Sequence, residues 1–286
     1  MSRAALLGHL ATGDTTVCRC WRLTRADGVT YGFTDHDRDL TFDGLTHRAD
    51  SGLTARALVQ GTGLSVDNSE AAGVLSDAAI RDADVEAGRF DGAEVESWLV
   101  NWADPSQRML RFRGALGEIR REGAAFTAEL RGLTDLLNQP QGRSYTPSCQ
   151  AILGDAACGV ALGPLAEVRE AESVEDAQVF FLPGLDAYAD RWFDRGVLRV
   201  LEGEGAGLEG IVKVDRLLPD GRRRITLWAP IRAEVPAGTS LRLTPGCDKR
   251  LATCRDKFAN VANFRGFPTI PGEDWLVVPP RAGDAP

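Results

Sequence analysis

Four cysteines, Cys149, Cys158, Cys247 and Cys254, fall in two close pairs, C-x8-C and C-x6-C, with 88 residues between the pairs. Thiolates bind soft or borderline metals because polarizable sulfur shares charge with them, and four complete either a tetrahedral zinc site or a four-iron cluster. Zinc ribbons use tighter knuckles that aim two sulfurs at one ion. Loops of eight and six residues leave room for a larger object, so the spacing favours a 4Fe-4S cluster, with zinc as the alternative. Disulfides or inert buried thiols are the competing reading, since free cysteine is among the most buried residue types.

The remaining chemistry-bearing residues are fewer. Cys18 and Cys20 share one face of a predicted strand and have no second pair nearby, so they are expected to be packing thiols rather than ligands. Asp35, His36 and Asp37 sit in a run, Thr34-Asp-His-Asp-Arg-Asp39, that could hold a hard cation or serve as an acid/base pair. The run lacks the spacing and glycine of a calcium loop, and a turn with side-chain-to-backbone bonds is the commoner outcome. His9, His36 and His47 are too scattered for a triad, and neither a phosphate loop nor a G-x-S-x-G elbow is present. No catalytic residue is assigned, and the chain is not expected to be an enzyme.

Composition narrows the class. A chain of 286 residues, 43% hydrophobic, buries a core without covalent staples, and it carries only 6 cysteines. The opening MSRAALLGHLATGDTT lacks the continuous apolar stretch of a secretory leader, so assembly in a reducing cytosol is expected. No apolar run approaches the roughly 20 residues needed to span a bilayer. The net charge of -8 argues against a sequence-independent grip on nucleic acid, which needs a basic surface. It leaves open an acidic, non-adhesive wall past which DNA could move.

The elements that must position these residues are mostly short strands. A helix is expected over Arg3 to His9, a strand over Thr15 to Leu23, and strands either side of the Asp43-Gly44 turn. Ser76 is read as the cap of a helix from Asp77 to Ala87 that stops at Gly88, with strands following at Val95 to Trp102 and Met109 to Arg113. A hairpin from Gly117 to Arg131 turns at Glu122-Gly123. Between the cysteine pairs, strands are expected at Gly196 to Leu201, Gly210 to Asp215, Arg224 to Trp228 and Ser240 to Thr244, enough for a small barrel. Asp248 is read as the cap of a helix carrying Leu251, Cys254 and Phe258 on one face. The fold class is therefore mainly β with small helical decorations: antiparallel β-barrel-like modules joined at a four-cysteine metal-cluster site. The division expected is a β-rich domain over 1–145, the first cysteine pair over 146–165, a small β-barrel over 166–245, and the second pair, helix and tail over 246–286.

Three blocks carry a family likeness: Leu136 to Tyr145 with Leu153-Gly-Asp-Ala-Ala-Cys-Gly159, Gly246-Cys-Asp-Lys-Arg250, and Asn263 to Gly272. Together with Gly32 to Asp39 they make nearly the whole chain resemble the tail hub protein family of alphaproteobacterial gene transfer agents and related prophages. That family is similar, more distantly, to the tail tip protein of phage lambda, whose matching cysteine set binds an iron–sulfur cluster. The resemblance implies that Cys149, Cys158, Cys247 and Cys254 are cluster ligands in a baseplate hub subunit, a homotrimer at the distal end of a phage-like tail. Its implied neighbours are a distal tail protein, a tip or fibre protein and a cell-wall peptidase, with DNA passing through the channel without specific binding. Such a protein is assembled in the bacterial cytoplasm and released as part of the particle. An iron–sulfur redox enzyme and a zinc-stabilised binding module are the competing functions, distinguished by metal content.

Overall fold

The computed structural model of the chain describes residues 3–49, 68–71, 81–122, 125–132, 142 and 144–270, with the backbone alone for 68–71 and 118–129. Two compact units, Met1–Gln141 and Gly142–Pro286, divide the chain. Both are built on antiparallel sheets with few helices.

In the first unit, helix α1 (Arg3–Leu10) precedes β1 (Val17–Thr24), β2 (Thr30–Thr34) and a hairpin of β3 (Leu40–Phe42) and β4 (Leu45–His47). The hairpin turns on Asp43 and Gly44, both at positive φ (50° and 73°), the left-handed pair that a two-residue turn between right-twisted strands requires. Strands β5 (Asn68–Ala71), β6 (Glu94–Asn101), β7 (Arg108–Glu122) and β8 (Ala125–Gly132) complete a six-stranded sheet in the order β2-β1-β6-β7-β8-β5. Strand alternation separates two packing faces. Trp21 and Leu23 face a core with Phe33, Phe90 and Phe112; Cys18 and Cys20 face a second cluster with Leu40, Phe42, Trp98 and Val100. Alternation along β6 likewise puts Val95 on the first face and Trp98 on the second. Cys18 and Cys20 thus lie in packed surroundings of the first unit, far in sequence from the other four thiols.

Two local expectations change here. Helix α2 spans Asp82–Glu86, because Arg81 is extended (φ -81°, ψ 135°) and cannot belong to a helix reaching back to Asp77; Ser76 and residues 77–80 lie outside the described residues. Strand β7 is one 15-residue element where two strands were expected, and a register shift between Leu116 and Ile119 lets it run on past Gly117. The expected turn residue Gly123 also lies outside the described residues.

The second unit contains β9 (Glu167–Glu170), β10 (Ser173–Glu175), β11 (Val179–Leu182), β12 (Val197–Val200), β13 (Glu209–Leu217), β14 (Arg223–Leu227) and β15 (Ser240–Thr244). They form one sheet in the order β10-β11-β14-β13-β12-β15-β9. The edge strands β9 and β10 are separated in sequence only by Ala171 and Glu172, whose backbone N–H groups donate to Thr239 O (3.0 Å) and Phe181 O (2.9 Å). The chain so carries the ladder from one edge to the other, and the sheet curls around Phe180, Leu182, Leu198, Val212, Ile225 and Leu241, all fully buried. Sequence periodicity marks β12 to β15. It misses β9 and β10, which are Glu-rich and only half-buried, and β11, which is four residues long.

Inside this unit Arg223 and Asp215 form an ion pair with no solvent exposure at either side chain, Nη1 donating to Asp215 Oδ2 at 2.6 Å. The guanidinium also donates to the carbonyls of Leu185 (3.1 Å), Tyr188 (2.5 Å) and Ala189 (3.2 Å), while Asp215 Oδ2 accepts the Phe193 N–H (2.8 Å). Burial pushes the Asp215 carboxyl up, against the hydrogen bonds and the guanidinium that hold it ionised. Arg223→Met, which leaves Asp215 buried without its cation, is expected to cost about 3–5 kcal/mol in urea unfolding.

In the first unit His47 is fully buried and stacked on Phe42 at 4.0 Å, with no hydrogen-bond partner at either ring nitrogen. Desolvation lowers its pKa from 6.5 to about 4, offset only in part by the nearby backbone of Leu40 and Leu45. The unfolded chain therefore binds a proton below about pH 6.5 that the folded chain refuses until about pH 4. Stability should fall by about 3 kcal/mol as pH drops across that window. Urea titrations at several pH values should show this slope reduced in His47→Leu.

Candidate functional site

The four cysteines of the two pairs line one small cavity of about 20 Å³ in the second unit, with Leu153, Val160, Phe258 and Phe264 in its apolar wall. None of the six cysteines is in a disulfide. Each thiol is delivered by a different local device. Cys149 lies on an irregular segment before a tight loop, and its N–H donates to Lys249 O (2.9 Å), which ties the first pair to the second. Asp155 shapes the loop: its carboxylate accepts the N–H groups of Ile152 (2.9 Å) and Cys158 (2.6 Å), turning Cys158 inward. Those backbone donors hold the Asp155 carboxyl below the usual carboxylate range.

The second pair comes from the end of the barrel. Gly246, directly after β15, packs so closely on Asp194 to Gly196 that a Cβ there would lie 1.8 Å from Asp194 O, so only glycine fits. Cys247 follows at once. Helix α3 (Leu251–Asp256) then presents the buried Cys254. This helix is shorter than the sequence suggests, ending before Phe258. Asp248 acts ahead of it by accepting the Arg250 N–H (3.0 Å), while the residue preceding the helix, Arg250, makes no side-chain cap. Gly266 allows a similar close approach to Ser148, bringing Arg265 against Cys149.

Hydrogen bonds to sulfur identify what electronic state the site favours. The N–H of Lys249 donates to Cys247 Sγ (3.4 Å), that of Arg265 to Cys149 Sγ (3.4 Å), and Asn260 Nδ2 to Cys158 Sγ (3.8 Å). N–H donors aimed at sulfur stabilise thiolates and metal-bound sulfur more than neutral thiols. Cys254 Sγ instead donates to Asn260 O (3.2 Å). Burial first, and then the other three cysteines, push the Cys254 thiol up, the cost of gathering four negative sulfurs without a cation. Among the described residues no group of three or more His, Cys, Asp or Glu side chains is drawn in tightly enough to hold a single metal ion.

Lys257 links this site to the barrel. Its ammonium donates to Gly246 O (2.7 Å) and Trp192 O and lies 4.5 Å from the centre of the Trp192 ring. Burial lowers its pKa, opposed by the charges of Cys247 and Asp215. Beside it, residues of the 190–195 and 246–257 segments line a polar groove of about 1080 Å³. Sequence reasoning did not single out Lys257, Asn260 or Asp155 as site residues. Asp155 stands in the quoted Leu153-Gly-Asp block, but backbone donors such as those of Lys249 and Arg265 leave no signature in residue type.

The Asp35–His36–Asp37 run lies in the first unit and serves its backbone. Asp35 Oδ1 accepts the Arg19 N–H (2.6 Å), His36 Nδ1 accepts the Arg38 N–H (3.0 Å), and Asp39 Oδ1 accepts the Ala49 N–H (2.9 Å). His9 likewise accepts the Thr16 N–H (3.0 Å). The His36–Arg38 bond is local to a turn, and the others join segments 7 to 16 residues apart in sequence.

Matches to known protein families divide the chain at a different place from the two compact units. Residues 3–161 match the family described as baseplate hub protein, N-terminal attachment domain, and residues 191–274 match phage conserved hypothetical protein BR0599. Each match contains one cysteine pair. A solved structure described as the virion of a native gene transfer agent particle contains a chain 53% identical to this one, with a TM-score of 0.90 over 99% of this chain and 97% of that one. No curated protein matches. No helix among the described residues is long and apolar enough to cross a membrane.

Lys257→Met keeps the stem and removes the ammonium, leaving the Gly246 and Trp192 carbonyls without their donor. A loss of about 2–3 kcal/mol in urea unfolding is expected, the range for hydrogen bonds to a charged group together with the carbonyls left unsatisfied.

Proposed function

The chain belongs to the baseplate hub protein family, and on that premise we propose that it is a structural hub at the distal end of a phage-like or gene transfer agent tail. It acts by assembly, without turnover of its own, as part of a homotrimeric ring around the channel through which DNA leaves. Its neighbours are a distal tail protein, a tip or fibre protein and a cell-wall peptidase. The net charge of -8 suits a lumen that DNA passes without adhering, because like charges oppose binding. The chain is built in the bacterial cytoplasm and leaves it in the particle. The observation that carries the reading is the hub-family match together with the whole-chain likeness to a virion component.

Within that role, Cys149, Cys158, Cys247 and Cys254 hold a 4Fe-4S cluster that joins the two cysteine pairs. Their convergence on one cavity, and N–H donors on three of the sulfurs, support this. The cluster would supply cross-linking: four thiolates bound to a metal core stabilise folded over unfolded chain. The protein's own residues supply the apolar wall, the N–H donors and the neighbouring ammonium of Lys257.

Anaerobically purified protein should contain iron and acid-labile sulfide in near-equal amounts, little zinc, and a visible thiolate-to-iron absorption. Each of the four Cys→Ser variants should lose most of its iron, while Cys18→Ala with Cys20→Ala keeps it. Zinc in place of iron, or full iron retention in all four variants, would refute the cluster. Deleting the gene should leave filled heads but no transfer-competent or infective tails, and normal particles from the deletion strain would refute the hub role.

A further inference from the structure

Asn260 touches both cysteine pairs at once. Its side-chain Nδ2 donates to Cys158 O (2.6 Å) and reaches Cys158 Sγ (3.8 Å), while its backbone N donates to Cys254 O (3.0 Å) and its backbone O accepts Cys254 Sγ (3.2 Å). The chain reaches this position through the end of α3. Ala259 takes the left-handed conformation (φ 49°) and its N–H donates to Arg255 O (3.1 Å), which ends the helix in an αL motif, and the Asn260 N–H reaches one residue further back to Cys254 O. That turn folds Asn260 back over the thiol that the helix has just delivered.

The amide orientation is fixed by its partners. Cys158 O can only accept, so it faces Nδ2, and Asn263 Nδ2 donates to Asn260 Oδ1 (2.8 Å). The other donors to sulfur, at Lys249 and Arg265, are main-chain N–H groups. The donor to Cys158 is a side chain, which substitution can remove.

We infer that Asn260 is a positioning residue that holds Cys158 and Cys254 at the separation a bound metal core needs and sets how firmly the site retains it. The inference rests on the reading of the four cysteines as cluster ligands. Partners of this kind orient ligands and govern retention even though they touch no metal. Asn263 acts through Asn260 by holding its amide in place.

Asn260→Asp keeps the shape and the acceptor for Asn263 but removes the donor to Cys158 and sets a negative charge among thiolates. In the full chain purified anaerobically, iron release to a chelator should be faster by about tenfold or more than in wild type. Asn263→Ala, which frees the amide to rotate, should fall between the two. In Asn260→Asp the urea midpoint should fall further in the loaded than in the chelator-stripped protein, because loss of the bond to Cys158 O affects both while loss of the donor to sulfur acts only on the occupied site. Equal release rates would overturn the inference while leaving the cluster reading intact. A drop in the stripped protein as large as that in the loaded one would also overturn it, by making Asn260 a fold residue. Wild-type protein that binds no metal would overturn both.

Discussion

The buried pair of Arg223 and Asp215 is the interaction on which the second unit turns. Two charges taken fully out of water are costly, and their mutual attraction offsets that cost only when geometry is close and the remaining donors are used. Here the two Nη groups of the guanidinium also donate to three carbonyls of the 185–189 segment and Asp215 Oδ2 takes the Phe193 N–H, while Arg223 Nε and Asp215 Oδ1 stay buried without a partner. Asp194 adds a bond to Asp215 N (2.7 Å) and Asp190 one to Leu217 N (2.9 Å). A long connection between β11 and β12 is thereby clamped to β13. That clamped connection presents the Asp194–Gly196 backbone against which Gly246 packs and the Trp192 carbonyl that Lys257 holds. Cys247 and Cys254 take their positions from this seat.

The thiol site obeys the same logic with the sign reversed. Four sulfurs gathered in an apolar pocket repel one another once ionised, and burial adds to the cost, as the raised Cys254 thiol records. N–H donors on three sulfurs and the ammonium of Lys257 nearby reduce that cost, and a bound cation would remove most of it. On the proposed reading, metal binding would be linked to the final packing of the loops through that balance.

A hub subunit needs a surface that neighbours can build on more than it needs an active site. A large polar groove, and few convergent acid/base groups among the described residues, are consistent with such use. The acidic and imidazole run at Asp35 to Asp39, the most enzyme-like segment of the sequence, spends its side chains on backbone N–H groups within the first unit.

Periodicity and turn chemistry in the sequence by themselves determined a great deal: a mainly β chain, the Asp43-Gly44 hairpin, the inward face shared by Cys18 and Cys20, and the four longer strands of the barrel. These are local properties, decided by alternation of side chains and by which residues accept positive φ. Paired spacing singled out the four cysteines, and family likeness added their reading as cluster ligands. Tertiary structure decided the rest. The edge strands β9 and β10 carry little apolar alternation because they are only half-buried, so their pairing depends on β15 and β11 being in place. Helix α2 is short because Arg81 is extended, and α3 ends early because Ala259 turns the chain back. Which donors meet the sulfurs was invisible in residue types, since two are backbone N–H groups and the third, on Asn260, lies 102 residues from its sulfur. Long-range approach, allowed by Gly246 and Gly266 where any Cβ would collide with main chain, made one site of two distant pairs.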